Sequence, residues 1–296
     1  MRSDEASAAE VFEEHRGLLF SIAYRMLGSA TDAEDVLQEA YLRWREVAAD
    51  EIRSPRAYLS TVVTRLCMDQ LRSARARREE YAGPWLPEPL VVDAADDPAL
   101  LDETLSMAFL VLLESLSPVE RAVFLLREVF DYDYAGISEI VGKSEANCRQ
   151  IARRAREAVA ARRPRFDPAP RQGERLVQCF IEACMSGDME GLLESMSEEI
   201  TLWTDGGGRV RAARNPIHGS DRVARFLLGV IPEASEELEI RYARVNGQPG
   251  LITYHPDGSP QGAVAFDVSG GRIAAIRFVV NPEKLRSIPP LEEVER

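Results

Sequence analysis

Two stretches of the chain concentrate the chemistry that recognises phosphate. Between Arg53 and Arg78 there are seven Arg against one acid, Asp69, and between Lys143 and Arg165 eight bases stand against two acids. Guanidinium groups at this density suit nucleic-acid backbones, although a single charge run is most often just a solvated helix face. Two such runs, each at the end of a separate helical block, favour nucleic acid. A third stretch has the opposite character: Asp32, Glu34, Asp35 and Glu39 make an acidic helix, a face that on its own is most often just solvated. Catalytic chemistry is thinner. Asp205, His218, Tyr254 and His255 are the available acid/base groups, and their spacing supplies no paired acid and base. Cys67, Cys148, Cys179 and Cys184 have no His beside a Cys pair, so neither a metal site, a cofactor nor a disulfide framework is expected.

The whole-chain balance conceals this pattern. With 36 Lys and Arg against 49 Asp and Glu, the net charge is −13, which read alone argues against DNA. Once the two basic clusters are set aside, the acidity belongs to the rest of the chain. The 296 residues are 45% hydrophobic and 29% charged, the composition of globular domains. No apolar run reaches the ~18 residues of a membrane helix, and the start is polar and acidic. A cytoplasmic chain with no membrane partner is expected.

The elements that must position these groups follow from periodicity. Val36, Leu37, Ala40, Tyr41 and Trp44 make the apolar stripe of a helix over 32–44, with Thr31 as its expected N-cap. Ser54-Pro55 opens a second helix, cap followed by Pro at the first position, with Leu59, Val62, Val63 and Leu66 facing a core. Thr61, Thr64, Arg65 and Arg72 are then left for other surfaces. Ser117-Pro118-Val119-Glu120 is a capping-box start. A short helix ending at Gly142 and a longer one capped by Ser144 fit a helix-turn-helix, with Cys148, Ile151, Ala152, Ala155 and Val159 inward. Its exposed side, Glu145, Asn147, Arg149, Gln150 and Arg153, is placed to reach base edges, with Arg154 nearer phosphates. Prolines 84, 87, 89 and 98 mark one linker, and prolines 164, 168 and 170 a second boundary. Beyond it, two helices precede β-branched or alternating runs at 200–203, 209–213, 238–245, 251–254, 263–268 and 273–280, with turns at Asp257-Gly258 and Gly270-Gly271.

Asp32–Trp44, Ser54–Leu59 and Met68–Arg72 together resemble region 2 of the extracytoplasmic-function sigma factors of bacterial RNA polymerase. Leu116–Arg121 followed by the helix-turn-helix resembles their region 4. The resemblance implies a protein that binds core polymerase and directs it to promoters, and is not an enzyme. It implies that Asp32, Glu34, Asp35, Gln38, Glu39 and Arg43 dock on the β′ clamp, with region 4 meeting the β flap. Arg53, Arg56, Thr61, Thr64, Arg65, Arg72 and Arg75 would receive the unpaired minus-10 strand, though many relatives carry Asn at the position of Thr64. Lys143, Ser144, Glu145, Asn147, Arg149, Gln150, Arg153 and Arg154 would read the minus-35 element. Whether an anti-sigma factor exists is left open.

The last 130 or so residues, helices and then a curved antiparallel sheet, resemble the SnoaL-like, cone-shaped α+β fold, which leaves room for a small-molecule ligand. The expected order is therefore two all-α domains and then an α+β domain: region 2 over 8–80, a linker over 81–104, region 4 over 105–165 and the regulatory domain over 172–296. Three motifs resemble those of sigma factors with this extension. They are Trp85-Leu86-Pro87-Glu88-Pro89, Asp205-Gly206-Gly207-Gly208-Arg209 and Asn281-Pro282-Glu283-Lys284-Leu285. The first two have plainer readings, as a stiff spacer and a flexible loop tip, and the Asn281–Leu285 tail is the hinge candidate. The expectation is that the linker motif and the Asp205–Arg209 loop meet. Two rival functions stay open: a helix-turn-helix regulator working without core polymerase, and a sigma-like module fused to a small-molecule enzyme. Co-purification with core and run-off transcription discriminate the first, and turnover of a small hydrophobic substrate the second.

Overall fold

The computed structural model describes residues 2–47, 52, 54–79, 81–92, 103–161, 170–234 and 238–291. The chain divides into two units, Met1–Glu79 with Phe109–Arg163, and Glu80–Ala108 with Pro164–Arg296. The first unit is all helical: α1 (Arg2–Leu27), α2 (Ala30–Arg45), α3 (Pro55–Glu79), α4 (Met107–Leu113, which begins just before it), α5 (Pro118–Glu128), α6 (Tyr134–Val141) and α7 (Glu145–Ala160). Ser29, not Thr31, caps α2: its side chain accepts from the Asp32 N–H at 3.0 Å. The preceding Gly28 takes φ 68°, which ends α1 and frees the chain to turn there. Val36, Leu37, Ala40 and Trp44 are buried as the periodicity requires. The capping box of α5 is complete, with both the Ser117 and Glu120 arms formed. Gly142, left-handed at φ 66°, closes α6, and Ser144 then caps α7.

The second unit holds a seven-stranded sheet in the order β1-β4-β5-β6-β7-β2-β3. Its strands are β1 (Val91–Val92), β2 (Met196–Asp205), β3 (Ile217–His218), β4 (Glu239–Val245), β5 (Gln248–Tyr254), β6 (Pro260–Ser269) and β7 (Arg272–Val279). Helices α8 (Pro170–Ser186), α9 (Met189–Ser195) and α10 (Ser220–Ala234) bury their apolar sides against it, around Phe180, Leu192, Leu202, Leu227 and Phe266. The α+β class is as expected, with three corrections. The sheet is mixed, because β2 runs parallel to β7; the intervening helix and hairpins supply the long crossover that parallel neighbours need. Residues 209–213 are not a strand. The N–H groups of Arg209 and Val210 turn back to the Gly206 carbonyl, and Ala213 exchanges hydrogen bonds with the Thr204 hydroxyl instead of a ladder partner. Finally, the linker supplies a strand that was not expected: Val91–Val92 pair antiparallel with β4, beyond the buried Leu86 and Glu88. Pro98, Pro164 and Pro168 lie outside the described residues.

Candidate functional site

In the helical unit, α2 presents Glu34, Asp35, Gln38, Glu39 and Arg43 to solvent, with Asp32 half-buried in its first turn. Glu34 pairs with Arg16 at 2.6 Å and Glu39 with Arg43 at 2.9 Å, both exposed, so this face is pre-ordered at little energetic consequence. The α7 surface is equally open. Lys143, Ser144, Asn147, Arg149, Gln150, Arg153 and Arg154 are exposed, Glu145 half-buried, and Glu145 pairs with Arg149 at 2.6 Å. Cys148, buried on the other side with its thiol pushed up by desolvation, is packing.

The α3 surface differs. Arg65 donates through Nε to the Ile140 carbonyl at 3.0 Å and through its terminal nitrogen to the Glu139 carbonyl at 2.8 Å. These are last-turn carbonyls of α6, the partial negative end of that helix. Arg56 lies over the Tyr132 ring at 5.7 Å, and the Tyr132 hydroxyl donates to Ser60 Oγ at 2.8 Å. Thr61 donates back to the Ala57 carbonyl at 2.7 Å, and Arg72 pairs with Asp69 at 2.7 Å. Thr64 corrects the sequence reading: it is fully buried, its hydroxyl has no partner among the described residues, and it is not on the polar surface. Arg53 and the side chain of Arg75 lie outside the described residues. Sequence reasoning missed Arg121. It is 2% exposed, and donates to the Met26 carbonyl at the end of α1, to the Leu113 carbonyl, and to Glu114 at 2.7 Å. Burial lowers its pKa, so those acceptors are what keep a charged guanidinium affordable inside.

In the second unit the three motifs converge on one carboxylate. Asp205, 1% exposed, accepts from the Tyr81 hydroxyl at 2.6 Å and the Gly207 N–H at 3.0 Å on one oxygen. Its other oxygen accepts from the Leu86 N–H at 2.8 Å and Lys284 Nζ at 2.7 Å. Lys284 also donates to the Leu86 carbonyl, and its ammonium lies 4.4 Å from the Trp85 ring centre and 4.9 Å from that of Tyr81. Asn281 donates to the Tyr81 hydroxyl at 3.0 Å, and Arg209 pairs with Glu283 at 2.9 Å. Burial, then the bond to Asp205, pushes the Tyr81 phenol up, so it stays a donor. Gly207 is needed twice over: its φ is 58°, and a Cβ there would collide with the Asn281 amide. The remaining motif members, Pro87, Glu88, Pro89, Gly206, Gly208, Pro282 and Leu285, shape the backbone around this cluster, with Pro87, Glu88, Pro89 and Leu285 buried.

A second fastening lies further along the same strap. Asn246, buried at φ 54°, accepts from the Leu90 N–H, donates through its backbone to the Leu90 carbonyl, and donates through its amide to the Leu105 carbonyl. Neither Tyr81 nor Asn246 was anticipated. The Asn246-Gly247 pair after a β-branched run was the available signal, since that dipeptide makes tight hairpin turns. Of the four acid/base candidates, only His255 lines the cavity inside this unit. Asp205 is engaged in the clasp, His218 is exposed with Nδ1 3.1 Å from Thr201 Oγ1, and Tyr254 is buried with its hydroxyl unpartnered among the described residues.

An acidic helix, a basic helix and a capped helix-turn-helix in one helical unit are parts of a promoter-reading protein. The Sigma-70 region 2 model matches residues 11–77 and the Sigma-70, region 4 model matches residues 106–159. The chain belongs to the extracytoplasmic-function sigma factors: it binds core RNA polymerase and directs initiation of transcription at promoters. It is 38% identical to the ECF RNA polymerase sigma factor SigJ of Mycobacterium tuberculosis, over 96% of this chain and 94% of that protein. Its likeness to a probable ECF sigma factor of that organism, SigI, is 33% over 95% of each. The crystal structure of M. tuberculosis SigJ superposes with a TM-score of 0.75 at 35% identity, covering 93% of this chain and 97% of that one. The C-terminal domain is therefore SigJ-like as well. Among the described residues no helix is long and apolar enough to cross a membrane.

Proposed function

We propose that the C-terminal domain regulates this sigma factor by holding the linker between regions 2 and 4. The observation that carries the reading is the buried Asp205 carboxylate, which fastens Tyr81, Leu86 and Lys284 into one cluster. A linker fastened to a third domain is not free to follow regions 2 and 4 as they separate on the polymerase. On this reading residues 8–80 form region 2, 81–104 the regulated linker, 105–165 region 4 and 172–296 the regulatory domain. The exposed acids of α2 meet the β′ clamp and region 4 meets the β flap. The α3 face receives the minus-10 strand, its arginines tracking phosphates, and the exposed residues of α7 read minus-35 base edges. The chain works in the cytoplasm, and the polymerase supplies all the chemistry; with Asp205 spent on the clasp and Tyr254 outside the cavity, the C-terminal domain acts as a regulator and not as an enzyme. In vitro transcription with purified core tests the central claim. Asp205→Ala, Trp85→Ala and an exchange of charge between Asp205 and Arg209 are each expected to alter promoter-dependent output relative to the parent chain. Unchanged output in all three variants would sink it.

A further inference from the structure

We propose that the cavity inside the C-terminal unit binds a long-chain carboxylic acid and that the linker clasp senses its occupancy. The cavity encloses about 540 Å³ between the inner face of the sheet and helices α8 and α10, within the ~300–1,000 Å³ of small-molecule sites. Phe180, Phe226, Phe266 and Phe278 are among its walls. A core lined so heavily by aromatic rings ordinarily packs shut, so a void of this size is a feature that has to be explained. The mouth is apolar too. Met185, Val210, Val230 and Ile240 line it and are four of the six large hydrophobic side chains exposed among the described residues. Exposed apolar area collected at one opening marks a place where a partner of the same character is received. The charge pattern narrows the class. Among the described residues no Asp or Glu lines the cavity, and Arg211 is its one Lys or Arg. Arg211 is exposed and makes no ion pair or hydrogen bond with a described residue. An apolar chain in the cavity with its carboxylate on Arg211 satisfies both features.

Neighbouring residues of the same strands then connect the cavity to the clasp. Thr204 lines the cavity, while Asp205 points to the other face and holds Tyr81, Leu86 and Lys284. Beyond β7, Val280, Pro282 and Leu285 line the cavity, while Asn281 and Lys284 belong to the clasp. A ligand that displaces this wall displaces the clasp, because one backbone serves both. The transcriptional consequence rests on the regulatory reading above; binding itself does not, and is measured separately.

The test uses the full chain and cis-parinaric acid, a fluorescent long-chain acid. The parent chain is expected to bind it saturably at one site. Val230→Trp and Met185→Trp, both at exposed mouth positions, are expected to loosen binding at least about tenfold. Arg211→Ala is expected to loosen the acid about tenfold while leaving the methyl ester unaffected. Hydrogen exchange then reads the coupling. The Leu86 N–H, bonded to Asp205, is expected to change its exchange rate on binding, and the Leu90 N–H, bonded to Asn246 away from the cavity, is not. No saturable binding, or parent-like binding by both tryptophan variants, overturns the site. Equal affinity for acid and ester overturns the carboxylate assignment, and unchanged Leu86 exchange with probe bound overturns the coupling. Binding with those properties in a chain whose clasp variants transcribe normally would leave the site standing and the regulatory reading refuted.

Discussion

Helices α3 and α7 both carry arginines on a face suited to DNA, yet they use them differently. On α7 the groups able to reach bases, Asn147, Arg149, Gln150 and Arg153, stand in solvent, and the helix is held from behind by Cys148, Ile151 and Ala152. On α3 the corresponding face is engaged within the unit: Arg65 ends in the α6 carbonyls, Arg56 covers Tyr132, and Ser60 accepts from its hydroxyl. Arg56, Arg65 and Arg72 remain exposed, so the contrast lies in how far each basic face is engaged within the unit and not in whether it is presented. Under the proposed reading, Arg65 exchanges the α6 carbonyls for the minus-10 strand, whereas the α7 groups meet the minus-35 element as they stand. That difference has a physical logic, because the minus-10 strand becomes available only once the duplex opens on the polymerase.

The comparison can be broken at its open end first. Asn147→Ala and Gln150→Ala remove exposed groups without touching the core. Each is expected to cost about 1–3 kcal/mol of promoter discrimination if it makes a bidentate base contact. Run-off transcription with core on wild-type and altered minus-35 elements measures this, and a loss that is the same on both templates would demote the residue to a phosphate contact. The engaged end predicts a smaller and different effect. Arg65→Ala deletes two hydrogen bonds whose net worth is about 0.5–1.5 kcal/mol each. Faster amide exchange in the last turn of α6 is expected in the free chain, with the α7 amides unchanged. If α6 exchanges as before, Arg65 is not what holds the last turn of α6. Ser144→Ala is smaller still, about 1 kcal/mol through loss of the α7 N-cap, read as a lowered urea midpoint.

What the sequence revealed follows the range of the interaction. Caps, stripes and the αL closure at Gly142 are set by residues within a turn of one another, so Ser117, Glu120, Ser144 and the buried side of α7 were readable directly. The three motifs were readable as motifs, and the expected meeting of linker and loop is present in the Leu86–Asp205 bond. Tyr81 was not, because its partner lies 124 residues away and no periodicity encodes that pairing. Thr64 was misplaced for a related reason. Threonine next to arginine reads as polar surface, while its burial is decided by which helix packs on α3, a tertiary fact. The parallel pairing of β2 with β7 and the cavity are also products of topology: no single strand records its neighbour or the space its side chains leave.

The smallest effect is the most discriminating, because it separates the two helix starts by pH. Glu120 accepts from the Ser117 hydroxyl at 2.7 Å and the Ser117 N–H at 3.0 Å, and those bonds hold its carboxyl below the ordinary value. A carboxylate depressed in the folded state contributes stability that is present above its unfolded value, ~4.3, and lost as pH falls through the folded value. The α5 start should therefore weaken on acidification, and with it the placement of Arg121, the residue that ties the end of α1. The cap of α7 rests on the Ser144 hydroxyl, which does not titrate. Glu120→Gln should accordingly lower the urea midpoint at neutral pH and lose that deficit below the carboxylate range, whereas Ser144→Ala should carry the same deficit at both. A Glu120→Gln deficit independent of pH would mean that the capping geometry, and not the carboxylate charge, is what the α5 start requires.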